Sequence, residues 1–150
     1  MGKETEIKKE QWVMKLTSVQ YDGDEKEETF LNTEISYYID ESGERVIAYE
    51  ESETTGMEGS YMQLRISPDD VISIIRTGNY QTDLVVQAGK KHFCHYETPF
   101  GDFVVGVSAR FVKNTLTDEG GMLWLRYTVD GNTTLLSDNE IMIEVQKIMI

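Results

Sequence analysis

Residues 60–66 read SYMQLRI, and the alternation of side-chain types in this stretch decides the fold class. Met62, Leu64 and Ile66 occupy every second position, with polar or amphipathic residues between them. Because successive side chains of a β-strand point to opposite faces, this period of two predicts a half-buried antiparallel strand. The strand is expected to end at residues 67–70, SPDD, a turn-forming cluster.

The same period extends in both directions along the chain. Glycine-rich turns separate the segments, and Asp130-Gly131 is a strong hairpin signal. Gly106 interrupts one strand, so we expect a bulge or a sharp bend there. The further strands are predicted near residues 11–20, 29–39, 44–51, 71–76, 82–88, 92–97, 102–112, 122–129 and 134–148.

This succession predicts an all-β protein. Short turns and the absence of βαβ spacing favour an antiparallel meander, and closing the meander removes its exposed edges. We therefore predict a single antiparallel up-and-down β-barrel of about eight to ten strands. It should occupy residues 11–150, after a charged N-terminal segment at residues 1–10.

Composition excludes several function classes. The chain has 150 residues, and its 14 Lys+Arg and 27 Asp+Glu give a net charge of −13. Such a charge repels a phosphate backbone, so we expect no nucleic-acid partner. We also expect no membrane association, because no secretory signal and no long apolar run is visible. The single cysteine, Cys94, cannot form an internal disulfide, and a cytoplasmic location is the default expectation.

Five short segments carry a family resemblance. They are YEES at 49–52, TGMEG at 55–59, RTG at 76–78, HYETPFG at 95–101 and GG at 120–121. In this order and spacing they resemble the YwiB-like family of uncharacterised bacterial proteins, from about residue 11 to about residue 148. The chain departs from the family pattern at Ser60, where Thr is expected, and at Phe100, where Tyr is commoner. The resemblance implies a barrel similar to the calycins, the group of the lipocalins and fatty-acid-binding proteins, and it implies no activity.

Glu50 and Glu51 are adjacent carboxylates. They point to opposite faces of a strand and so cannot flank one scissile bond. One of them should face the barrel interior, where a desolvated carboxylate needs an arginine or another donor as its partner, or a raised pKa. Arg65, Arg76, Arg110 and Arg126 are the available arginines, and the sequence does not say which of them faces it. A structural ion pair, a solvated position and a ligand-binding role are the three interpretations, and the sequence does not say which glutamate faces inward.

His92, Cys94 and His95 lie close together in the sequence. On a strand only His92 and Cys94 share a face, which leaves two ligands where a structural zinc site needs four, so we expect no metal. His95 and Glu97 do share a face, but residues two apart on a strand lie about 6.5 Å from each other. An enzyme that uses Glu50 or Glu97 with His95 is the third functional hypothesis, after the two below.

The leading hypothesis is a non-enzymatic barrel that binds a small amphipathic ligand in its lumen. Tyrosine and tryptophan side chains offer apolar area with a polar tip, as such a cavity requires. The alternative is an acidic protein-interaction or regulatory module with a packed lumen and a basic protein partner. The acidic run at residues 22–28 is interpreted as solvated loop charge or, alternatively, as a docking surface for that partner. No phosphate-binding loop is visible, no cofactor is expected, and a homodimer would require an unpaired barrel edge. The candidate ligand-binding residues are Tyr49, Glu50, Arg76, His95, Glu97 and Tyr127.

Overall fold

A computed structural model describes residues 11–51, 59–132 and 134–148. No helix among these residues has the length and apolar character needed to cross a membrane. The strands are β1 (Gln11–Asp22), β2 (Glu25–Ile39), β3 (Arg45–Glu50), β4 (Tyr61–Ile66), β5 (Ile72–Thr77), β6 (Thr82–Val86), β7 (Lys91–Thr98), β8 (Gly101–Asn114), β9 (Gly121–Gly131) and β10 (Thr134–Ile148).

The strands form a closed antiparallel barrel in sequence order. Each strand pairs with the next, and β1 also pairs with β10, from Gln11 opposite Ile148 to Tyr21 opposite Asp138. The predicted all-β, up-and-down barrel is confirmed. Because the meander closes on itself, the ladder has no free edge at the β1–β10 junction.

The up-and-down path gives the barrel two distinct ends. β1 begins at what we call the lower end, so β1, β3, β5, β7 and β9 all end at the upper end. The connections after the even-numbered strands lie at the lower end. Residues near the start of an even strand and the end of an odd strand are therefore neighbours at the upper end.

The lower part of the lumen is a packed core. Met14, Leu64 and Ile72 are almost completely buried there, and each such side chain contributes about 1.5–3 kcal/mol of transfer free energy. Trp12 and Tyr37 close the lower end, with ring centroids 4.7 Å apart. The Tyr37 hydroxyl donates a hydrogen bond of 2.7 Å to the carbonyl oxygen of Thr117, which ties the lower turn between β8 and β9 to β2.

Gly106 does not mark a bulge, contrary to the expectation from the sequence. It pairs regularly with Phe93 and Asp130, and the irregularity in β8 lies at Arg110 instead. A Cβ atom at position 106 would overlap Cε of Lys91. The glycine therefore provides room for the Lys91 side chain to reach Asp130, with 2.9 Å between Nζ and Oδ2.

Gly120 and Gly121 are required by the lower turn before β9. Their φ angles are +103° and +137°, in the region that favours glycine. A Cβ atom at Gly120 would overlap the carbonyl oxygen of Val145, and one at Gly121 would overlap that of Thr115. Both neighbours are backbone atoms, which cannot move aside without disturbing the ladder.

We expect Gly120→Ala and Gly121→Ala each to lower the free energy of unfolding by at least about 2 kcal/mol, because a disfavoured φ and a steric overlap add. Urea denaturation measures the loss. Gly89→Ala is the matched control, since Gly89 has a φ of +80° but nothing within 4 Å of a new Cβ. Its loss should be about 1 kcal/mol, and equal losses at all three positions would contradict the overlap.

Candidate functional site

The strand register brings a band of inward-facing polar side chains to the upper end of the lumen. Tyr49 lies opposite Met62, and Met62 lies opposite Arg76. Arg76 lies opposite Thr82, which in turn lies opposite Tyr96. Cross-strand partners share one face of a sheet, so these side chains form a continuous band around part of the barrel.

An ion pair between the part-buried Arg76 and the buried Glu51 joins this band to the residue that follows β3. Arg76 Nε donates to Glu51 Oε1 at 2.7 Å, and Arg76 Nη2 donates to Glu51 Oε2 at 3.4 Å. The Glu51 side chain is only 5% exposed. Burial lowers the pKa of the Arg76 guanidinium, but the hydrogen bond and the charge of Glu51 outweigh burial and raise that pKa overall. Of the two adjacent glutamates, Glu51 is thus the inward one, and the ion-pair interpretation with Arg76 is confirmed.

Two buried tyrosines have accessible hydroxyl groups. Burial raises the pKa of Tyr49 and of Tyr127 to about 12, so both phenols are neutral near pH 7. Tyr127 is 7% exposed and Tyr49 is 8% exposed. Neither hydroxyl has a hydrogen-bond partner among the described residues. Among those residues, every fully buried side-chain nitrogen or oxygen does have a partner, so the two hydroxyl oxygens are not fully buried. Both hydroxyls must therefore reach space that solvent or a ligand can occupy.

A cavity of about 340 Å³ opens at the upper end, and we call it the mouth cavity. This volume is at the lower limit of small-molecule pockets, which run from about 300 to 1,000 Å³. Its walls are apolar at Leu84, Val105 and Val129, and none of its lining residues is charged. The full lining is Gln20, Leu84, Tyr96, Val105, Tyr127, Val129, Leu136, Ser137 and Asn139.

Beside the mouth cavity lies a larger groove of about 790 Å³, which we call the hairpin groove. It runs between the tip of the β1–β2 hairpin and the start of β10. Its lining residues are Gln20, Tyr21, Asp22, Gly23, Glu25, Lys26, Glu27, Leu135, Leu136, Ser137 and Asp138. Three of these, Gln20, Leu136 and Ser137, also line the mouth cavity, so the two spaces adjoin.

The structure divides the six candidate residues between two faces. Tyr49, Arg76 and Tyr127 lie on the inward face, and Tyr127 lines the mouth cavity. Glu50 and His95 are exposed on the outside of the barrel, and Glu97 shares the face of His95. The two groups are not brought together.

The residues of the enzyme hypothesis do not converge either. Glu50 on β3 and His95 on β7 are four strand spacings apart, about 19 Å along the sheet. Glu97 accepts a hydrogen bond of 3.0 Å from the backbone N–H of Gln81 and so supports the β5–β6 connection. No hydrogen bond joins the described side chains of His95 and Glu97.

Cys94 occupies an irregular seam between β6 and β7. Gln87 pairs with Lys90 at the turn, whereas Thr82 pairs with Tyr96 farther up, so β7 has one residue more than β6 between these points. The ladder is interrupted there, and the N–H of Val85 donates to Cys94 Sγ at 3.3 Å. Burial raises the pKa of the Cys94 thiol, which makes it a weak nucleophile.

The histidines of this segment have separate surroundings. His92 Nε2 lies 2.9 Å from Oε1 of Gln87, and His95 faces outward. Across the described part of the chain, no group of three or more His, Cys, Asp or Glu residues could hold a metal ion.

Most of the mouth-cavity lining was not selected from the sequence. Leu84, Val105, Val129 and Asn139 come from four different segments that only closure brings together. Their alternation with outward residues was a usable signal for inward orientation. Their position at the open end of the barrel required the strand register.

Comparison with known proteins places the chain in a family. A family model described as a domain of unknown function, DUF1934, matches residues 14–143. The chain belongs to this family. A solved structure, the ywiB protein from Bacillus subtilis, is similar with a TM-score of 0.78. The match covers 93% of this chain and 94% of that chain at 16% sequence identity.

The YwiB-like resemblance of the five sequence segments is thereby confirmed. At this identity the DUF1934 chain and the Bacillus subtilis protein are shown to share a fold, and no activity follows from the likeness. No curated protein matches the chain.

Removing the buried carboxylate should be costly. We expect Glu51→Ala to lower the free energy of unfolding by about 2–3 kcal/mol, because the partly buried Arg76 loses its counter-charge. The double variant Glu51→Leu/Arg76→Leu should recover most of the loss, since it removes both charges. Glu50→Ala, at the exposed neighbouring position, is the control and should change stability by less than about 0.5 kcal/mol. Equal effects at positions 50 and 51, measured by urea denaturation, would contradict the inward assignment.

The buried tyrosines predict a loss of stability in alkali. The pKa of Tyr49 and of Tyr127 is raised from 10.0 to about 12 in the folded protein. Between these values the unfolded chain releases protons that the folded chain retains, so stability falls as pH rises through that range. Each phenol accounts for about 2–3 kcal/mol by pH 12. Tyrosinate absorbance and circular dichroism, followed together, should show that these two phenols ionise only as the barrel unfolds. Ionisation of both phenols at about pH 10 in the folded protein would contradict the raised pKa values.

Proposed function

We propose that this protein is a non-catalytic, cytoplasmic barrel that binds a small amphipathic molecule in the mouth cavity. The observation that carries the proposal is the Tyr127 side chain. It is more than nine-tenths buried, it lines the cavity, and its hydroxyl has no partner among the described residues. The hydroxyl therefore faces space in which water or the polar group of a ligand can bond to it.

The chemistry of the cavity supports an amphipathic ligand. Leu84, Val105 and Val129 offer apolar contact, and the Tyr127 hydroxyl and the Asn139 amide offer hydrogen bonds. A small apolar group with one hydrogen-bonding head would match this lining. Aliphatic side chains fill the lower lumen, whereas the mouth cavity at the upper end offers space for such a ligand.

The same groups favour binding over catalysis. A phenol with a pKa of about 12 is poorly matched to proton transfer near pH 7. The inward carboxylate, Glu51, is held by Arg76. Neither group is poised as a general acid or base.

The alternative, an acidic interaction module, assumed a lumen packed throughout. The mouth cavity weighs against that premise, so ligand binding is the better-supported function. A basic protein partner on the acidic surface remains a separate proposal, and the net charge of −13 is its support.

Native mass spectrometry of protein purified gently from a bacterial cytoplasm tests the proposal directly. A reproducible added mass that is released on denaturation would support a bound ligand and identify it. A chain that stays at its apo mass, and that also fails to bind the amphipathic probe described next, would refute the function.

Tyr127→Phe should weaken the binding of 1-octanol by up to about tenfold, the equivalent of one hydrogen bond, as measured by isothermal titration calorimetry. The fold should not be weakened, because the hydroxyl bonds to no described residue. Tyr61→Phe is the matched control, since Tyr61 lies on the outer face and is 37% exposed. Unchanged affinity in Tyr127→Phe would place the ligand elsewhere.

A further inference from the structure

The mouth cavity and the hairpin groove together make one site with two chemical halves. They share Gln20, Leu136 and Ser137, so a molecule that fills the cavity and extends outward enters the groove. The inner half is lined by uncharged residues. The outer half contains several charged residues, and their balance determines which ligand head is favoured.

The inner half offers no free charge to an anion. Arg76 is the cation of the polar band, and two of its nitrogens are occupied by the two carboxylate oxygens of Glu51. The pair is neutral overall. A carboxylate or sulfate head in the mouth cavity would meet neutral hydroxyls and amides rather than a cation.

The outer half carries an excess of unbalanced negative charge. Lys26 lies 3.9 Å from Glu28, and Asp138 is paired with Arg126 at 3.1 Å, so these charges are largely offset. Asp22, Glu25 and Glu27 line the groove without an ion-pair partner among the described residues.

Two apolar side chains complete the groove. Leu135 and Leu136 are 61% and 60% exposed at the start of β10. Leu136 bridges the two halves, since it lines both spaces. An apolar chain leaving the mouth cavity would therefore pass over leucine before it reaches the carboxylates.

We propose that the ligand is a cationic amphiphile. Its apolar part lies in the mouth cavity against Tyr127, and its ammonium head lies in the hairpin groove between Asp22, Glu25 and Glu27. This inference rests on the proposed function and specifies its ligand class. Two independent observations carry it: the partnerless Tyr127 hydroxyl that marks the cavity as a site, and the uncompensated carboxylates at the mouth of that cavity.

Three probes with the same eight-carbon chain separate the head groups. Octylamine is a cation near pH 7, octanoate is an anion and 1-octanol is neutral. Calorimetric titration at low salt should find octylamine at least about tenfold tighter than octanoate, with 1-octanol between them. The difference in affinity between octylamine and octanoate should decrease as sodium chloride is added, because exposed charges are screened.

Two double variants test whether the preference for octylamine arises in the hairpin groove. Glu25→Gln/Glu27→Gln should weaken octylamine binding about fivefold and leave 1-octanol binding unchanged. The matched control is Glu41→Gln/Asp69→Asn, which removes two exposed carboxylates from turns at the lower end. It changes the net charge equally and should leave all three affinities unchanged.

The outcomes distinguish the inference from the function beneath it. If octanoate binds as tightly as octylamine while the binding of 1-octanol is still weakened by Tyr127→Phe, the inference of a cationic ligand is wrong and the proposed function stands. Equal weakening of octylamine by the two double variants would assign the preference to net charge and overturn the role of the groove. If none of the three probes binds, the proposed function fails and the inference fails with it.

Discussion

The pairing of β1 with both β2 and β10 is the constraint on which the remaining structure depends. It turns a meander into a closed ladder and satisfies the backbone groups of the first and last strands together. It also sets the register for the whole barrel. A slip of one residue would move every side chain of a strand to the opposite face, so the inward set of Met14, Ile47, Leu64, Leu125 and Ile143 is specified together with closure.

The two ends of the closed barrel differ in the side chains that face the lumen. At the lower end Trp12 and Tyr37 cover a lumen that large aliphatic side chains already fill. At the upper end the inward positions carry Tyr49, Arg76 and Tyr127, which are longer and polar. Of these three, Tyr127 lines the mouth cavity, beside the apolar side chains of Leu84, Val105 and Val129. The ion pair of Glu51 and Arg76 lowers the free-energy cost of placing charges at this end, because each charge would otherwise be partly desolvated and uncompensated.

Much of the fold was predictable because period-two patterning is a local property. The alternation in β4 and β9 needs no knowledge of distant residues, and glycine-rich turns are equally local. The bulge expected at Gly106 was wrong because the reason for that glycine is not local. Lys91, from the neighbouring strand, passes over it to reach Asp130.

The candidate site was predictable only in part, because it too depends on residues that are distant along the chain. The structure places Tyr49, Arg76 and Tyr127 on the inward face. The choice between Glu50 and Glu51 depended on the end of β3 and on Arg76 from β5.

The sequence by itself determined the succession of strands and turns, because alternation and turn residues are local properties, and it carried the family resemblance in five short segments. The tertiary structure alone decided which glutamate is buried, where the lumen is open and which uncharged side chains line the mouth cavity. It also decided that the acidic hairpin of residues 22–28 stands beside that opening and not elsewhere on the surface. These features depend on the register between strands that are distant in the sequence, and that register exists only once the barrel has closed.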